Sequence, residues 1–150
     1  SLRRGGFDRI VVPTAWTPGV ERLCADGVHG SVYAHELFTV GPGRAGELLD
    51  AVGGVGRPEV QALGLTAVGG YEVAMADRSE AIVIWAIPDW PTWARYERSW
   101  EPGGALEEWR TTLHSLGASW RRHLMVDAPL APLRTGRQPE ESDRRPLYDL

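Results

Sequence analysis

The chain of 150 residues suffices for one domain with its own core, and sets 16 Lys and Arg against 20 Asp and Glu, a formal charge of -4. A single cysteine, Cys24, excludes an intrachain disulfide framework and a cysteine-based zinc site. No run approaches the roughly 20 apolar residues of a membrane span, no charged-then-apolar leader opens the chain, and the acidic balance argues against nucleic acid. The expectation is a cytoplasmic protein. Seven Trp against two Phe is the unusual count, and it raises the question of an aromatic ligand surface.

Composition divides the chain into three regions: 1–30, 31–133 and 134–150. The first contains the short apolar stretch Arg9-Ile10-Val11-Val12, then Pro13 and Pro18. It reads as an N-terminal arm or as the end of a preceding repeat. Support for a repeat comes from the shared layout of IVVPTAWTP (10–18) and LMVDAPLAP (124–132), although only Val12/Val126 and Pro18/Pro132 are identical. The last region, charged and Pro-containing, reads as a flexible polar tail.

Within 31–133, SVYAHELFTV (31–40) is rich in β-branched and aromatic residues and predicts a strand that stops at Gly41-Pro42-Gly43. Ala45, Leu48, Leu49 and Val52 recur at helical spacing, with Gly53-Gly54 expected to close that helix and Pro58 to open a further turn or two. A second strand is predicted over Thr66 to Met75, with a turn at Asp77-Arg78-Ser79. EAIVIWAI (80–87) is apolar on both faces, so both sides of its sheet need cover. Asp89 with Pro91 predicts a helix start, followed by Trp93, Tyr96 or Glu97, and Trp100. Leu106, Trp109, Leu113, Leu116 and Trp120 form one apolar helical stripe, with Arg121-Arg122-His123 at its end. A short strand is predicted from His123 to Val126.

This order, strand-helix-strand-strand-helix-strand, predicts an α+β fold: a ferredoxin-like βαββαβ domain with an antiparallel sheet. Its helices cover one sheet face. A homodimer that packs two open faces together, forming a dimeric α/β barrel, would cover the other.

Three stretches resemble the NIPSNAP-like group of the dimeric α/β-barrel superfamily. YAHELFTVGPGRAGELL resembles the family's opening strand, Pro-Gly turn and helix; AIVIWAIPDWPTWARYERSW resembles its third strand and following helix; LMVDAPLAPL resembles its closing strand and Pro-containing tail. Together they span about 100 residues. The family's acidic-Leu-Arg-like opening pattern is replaced here by His35-Glu36-Leu37-Phe38, so no role of a family arginine transfers. What the resemblance implies is the fold, dimerisation, and a superfamily repertoire that includes cyclases, isomerases, cofactor-independent monooxygenases and haem enzymes, among which fold alone does not choose.

Candidate chemistry centres on His35. Strand alternation puts Tyr33, His35 and Leu37 on one face and Ala34, Glu36 and Phe38 on the other. An imidazole facing a cavity would act as acid or base near neutral pH; facing a helix or solvent, it merely fills space. Tyr33 and Tyr71 would orient an oxygen function, with Gly69-Gly70 leaving room beside the sheet, or they are core tyrosines. Glu36 is the carboxylate in the cavity if the faces are reversed, and otherwise a solvated or interface residue. Trp85 would wall an apolar pocket or pack the core, and Trp90, Trp93 and Trp100 surround a short helix that could sit over a pocket mouth. Histidine spacings offer no HxxxH or HxH pair, and no phosphate loop or GxSxG motif occurs, so neither metal nor cofactor is expected. The reading is therefore a small homodimeric enzyme. It would act on an apolar, aromatic or polyketide-like molecule by His-assisted acid–base chemistry, with His35, Tyr33 and Tyr71 catalytic and Trp85, Glu36 and Trp93 substrate-binding. The alternative is a non-catalytic small-molecule-binding or assembly module of the same type.

Overall fold

A computed structural model describes residues 8–144. Five strands form one sheet: β1 (Val11–Pro13), β2 (Val32–Thr39), β3 (Thr66–Val73), β4 (Glu80–Ile87) and β5 (Ser119–Met125). They lie in the order β1-β3-β4-β2-β5, with every neighbouring pair antiparallel. Helices α1 (Val20–Ala25), α2 (Ala45–Ala51), α3 (Arg57–Ala62), α4 (Trp90–Arg98), α5 (Glu107–Ser115) and α6 (Pro132–Thr135) complete the domain.

The sheet is open, which corrects the expected ferredoxin-like dimeric α/β barrel to an α+β domain built on an open five-stranded antiparallel sheet. Closure requires the first and last strands to meet with a consistent tilt and stagger. Here β1 and β5 end the sheet on opposite sides of β3, β4 and β2. The outermost strand is only three residues long, and its Pro13 brings no N–H to a further ladder.

Two helix boundaries differ from the sequence expectation, each for a local reason. Gly53-Gly54 does not end a helix: α2 runs through a π-helical segment (Val52–Gly56) directly into α3. The glycines are there for close packing. A Cβ on Gly53 would lie 2.9 Å from Trp16 Nε1, and one on Gly56 would lie 2.8 Å from the Trp109 ring. Conversely, the apolar stripe ending at Trp120 is not one helix. Gly117, at φ +65°, stops α5, and the Ala118 N–H turns back to the Leu113 carbonyl at 3.0 Å. Trp120 and the Arg121-Arg122-His123 cluster therefore stand on β5. The α4 start matches its signals, with the Asp89 carboxylate accepting the Thr92 N–H at 2.7 Å and Pro91 in the first turn.

The principal core lies between the sheet and α2–α5. Ala34 and Phe38 of β2 and Val83, Trp85 and Ile87 of β4 meet Leu48, Val52, Val60, Tyr96, Leu106, Trp109 and Leu113. The opposite face has a smaller core at one end, where Leu23 of α1 packs on Tyr33, Val68 and Ala86, with Leu133 of α6 beside them. Part of the cover assigned to a second copy is thus supplied by the chain itself. The segment leading there wraps the β3 edge. β1 pairs with β3, and Trp16 tucks against Gly53 and Gly70, donating to the Leu49 carbonyl at 3.3 Å. After α6, Arg137 forms an ion pair with Asp143 at 2.8 Å; residues 145–150 lie outside the described residues.

Gly56→Ala is expected to lose about 1–3 kcal/mol in urea unfolding, because the added methyl has no room beside Trp109. Gly54→Ala, where nothing lies within 4 Å, is expected instead to gain about 0.4–1 kcal/mol by restricting the unfolded chain.

Candidate functional site

Strand alternation divides the candidate residues between the two faces of the sheet. On the helix side, Glu36 is 1% exposed and serves as the centre of a charge network. Its carboxylate accepts from Trp85 Nε1 at 2.9 Å, from the Tyr96 hydroxyl at 2.5 Å, and from Arg122 Nε and Nη2 at 2.9 and 2.7 Å. Arg122 also donates to Tyr96 Oη at 3.0 Å and to Glu97 at 2.6 Å. Its guanidinium lies over three rings, 5.4 Å from Trp93, 4.7 Å from Tyr96 and 5.5 Å from Trp100. Burial, then the negative charge of Glu36, holds the Tyr96 phenol well above its ordinary range. Every acceptor of Glu36 faces a donor, which is how a carboxylate is kept inside a core.

Trp85 and Trp93 belong to this network and its aromatic surround, on the opposite side of the sheet from the groove described below. Trp93 and Trp100 extend a series of ring contacts that continues through Trp120 and Phe38 to Trp109. The short helix α4 packs on the helix side, and of its tryptophans only Trp90 is exposed.

The other face holds a groove of about 950 Å³ lined by His35, Leu37, Tyr71, Ile82, Ile84, Arg121 and His123, with Arg9, Val11 and the end of β5 at its margins. Strand register builds it in rows. His123, His35, Ile84 and Gly69 are successive partners across β5, β2, β4 and β3; Arg121, Leu37, Ile82 and Tyr71 form the next row. At strand spacing, the second row spans roughly 14 Å from Arg121 to Tyr71. A shallower extension of about 310 Å³ continues past Arg9, Thr39 and Glu80.

His35 and His123 are direct cross-strand neighbours, which no linear spacing of histidines reveals. Burial, and secondarily repulsion from His123, pushes the His35 imidazole below its ordinary value of 6.5. It is accordingly neutral at physiological pH and able to accept a proton. Burial raises the Tyr71 phenol, keeping it protonated as a donor. Gly69 makes space for that ring, since a Cβ there would lie 2.6 Å from the Tyr71 hydroxyl. Tyr33 shares the face but sits under α1. Its hydroxyl accepts from the Gly30 N–H and donates to Asp127, both at 3.1 Å, and Asp127 also lies 3.5 Å from His29. His35 and Tyr71 thus meet in one groove, Tyr33 is engaged at its covered end, and Glu36, Trp85 and Trp93 lie behind the sheet. Arg121 and His123 are the groove residues that sequence reasoning missed, because Arg121 reads as a helix end and a strand expected only from His123 onward gives no pairing register with β2.

Among the described residues, no group of three or more His, Cys, Asp and Glu side chains could hold a metal ion, and no helix is long and apolar enough to cross a membrane. Compared with known proteins, the chain matches no family model, no curated protein and no solved structure.

Arg122→Leu, which strands the Glu36 carboxylate in the core, is expected to cost about 3–5 kcal/mol in chemical denaturation, while pairing it with Glu36→Leu restores a large part. For His35 the sign follows from its depressed value: the unfolded chain binds the proton more readily than the folded one. Stability therefore falls as the pH drops from about 7 to about 5, and His35→Gln flattens that part of the profile. In a histidine NMR titration, His123→Gln is expected to move the His35 midpoint upward.

Proposed function

We propose that the groove on the open sheet face binds an apolar organic molecule and that His35 acts on it as a general base. The single observation behind this reading is a neutral imidazole on the groove floor, set among Leu37, Ile82 and Ile84 with the Tyr71 phenol in the next row. Leu37, Ile82 and Ile84 provide a surface for hydrocarbon or aromatic rings, and the volume of about 950 Å³ suits a drug-sized molecule. His35 would take a proton from a carbon acid or hydroxyl, and Tyr71, kept in its phenol form, would donate to the oxygen where charge develops. The hydroxyl of Tyr33 is already engaged by Gly30 and Asp127, so Tyr33 contributes position, not chemistry. Because α1 and α6 cover one end of the face, the reading is made for a single chain and does not depend on a second copy. Isomerisation and cyclisation by proton transfer fit this arrangement, since both use a base at one atom and a donor at the oxygen where charge develops.

The test is to incubate the protein with a hydrophobic metabolite extract, identify the retained molecule by native mass spectrometry, and follow its conversion. His35→Ala is expected to retain the ligand and lose about 10²–10⁴-fold in turnover, the usual contribution of a general acid or base. A variant that turns over normally removes His35 from the chemistry. Retention without conversion by the unaltered protein would favour a non-catalytic binding module, and failure to retain any molecule overturns the groove as a ligand site.

A further inference from the structure

The groove differs in charge from the chain that forms it. The chain carries -4, yet the ionisable side chains lining the groove are Arg9, Arg121, His35 and His123, with Tyr71 in its neutral form. The one carboxylate at its extension, Glu80, lies 3.8 Å from Arg9. Several arginines have their charge met by an acid, among them Arg22, Arg78, Arg110 and Arg122; of the described arginines that enter no such pair, the exposed Arg121 is the one that lines the groove. It stands mid-strand beside Leu37, at the edge of an apolar surface. A guanidinium there is a ready partner for a planar anion that it can grip with two N–H groups.

We propose that the ligand of this groove is an organic carboxylate, its apolar body lying over Leu37, Ile82 and Ile84 and its carboxylate paired with Arg121. This rests on the groove being a ligand site, and it adds the chemical class. The row from Arg121 to Tyr71 gives such a molecule a direction: the acid head lies at β5, and the tail runs across β2 and β4 toward β3. Binding in that direction carries the carbon chain past His35, one row away, so Arg121 fixes which part of the molecule meets the imidazole. The positive field also favours an anion over a neutral analogue of the same shape, which is specificity by charge complementarity.

cis-Parinaric acid and its methyl ester separate the two ideas, because they share a fluorescent apolar body and differ in the anion. The acid is expected to bind about 10-fold or more tightly than the ester, as one charge-assisted contact allows. Arg121→Gln should abolish that preference while leaving the ester's affinity within about 2-fold, which also reports an intact groove. Arg98→Gln, an exposed change at the end of α4 that alters net charge equally, should leave the preference in place. Equal binding of acid and ester overturns the carboxylate proposal and leaves the groove standing, and so does a preference that survives Arg121→Gln. Failure of both probes to bind overturns the groove reading itself and the proposal with it.

Discussion

The buried pair of Glu36 and Arg122 is the constraint on which the rest of the molecule depends. A carboxylate 1% exposed can persist in an apolar core only while its partners stay in place. Those partners come from β4, α4 and β5, so one charge dictates how three elements seat around β2. Its effect reaches the opposite face through the alternation of side chains. Because Glu36 faces Arg122 across the β2–β5 ladder, His35 must face His123 and Leu37 must face Arg121. A slip of one residue would turn those side chains to the wrong side of the sheet. Behind the groove, then, lies an electrostatic lock that sets its register without touching its contents.

The two faces solve the cover problem unequally. The helix side is filled by long side chains and stacked rings, and glycines stand where an indole comes closest. The opposite side is covered only where α1 and α6 cross it, at the end marked by Tyr33 and Ala86. The two helices come from the two ends of the described chain and meet each other, with the Cys24 thiol donating to the Pro132 carbonyl at 3.4 Å. What they leave bare is a strip two rows wide, apolar in the middle and basic along β5.

How far the sequence foretold this differs element by element. β4 was legible to its residue bounds, because eight apolar-rich residues between a turn and a helix cap admit few alternatives. The Asp89–Pro91 start of α4 was legible for the same local reason. The turns opened by Pro58 were expected, but their unbroken junction with α2 through Gly53-Gly54 was not, since the steric role of glycine against Trp16 and Trp109 depends on residues far along the chain. Of β5 only the end was legible: a short strand was expected from His123, but the continued three-and-four spacing through Trp120 imitates a helix that Gly117 has already ended. That error hid the site: with Arg121 placed at a helix end and His123 only at the start of a short strand, no register set either beside His35 or Leu37. His35 and Tyr71 were named from alternation alone and do share a groove, whereas Glu36, Trp85 and Trp93 needed the side of the helices to be known. The barrel was inferred from an uncovered face, and the chain covers part of that face by means that its short, irregular ends do not advertise.

The position of β2 between β4 and β5 has a consequence for how the molecule comes together in time. Its two neighbours, β4 and β5, both lie later in the chain, and Glu36 waits for a partner 86 residues away. Closing so long a loop exacts its entropy before the ion pair or the ladder returns anything, and contacts of this separation are the kind that slow folding. Until β5 arrives, β2 presents a free edge and a carboxylate that no apolar neighbour can shelter. That carboxylate discourages early, misregistered burial of β2, acting as a brake on collapse until the right arginine is in hand.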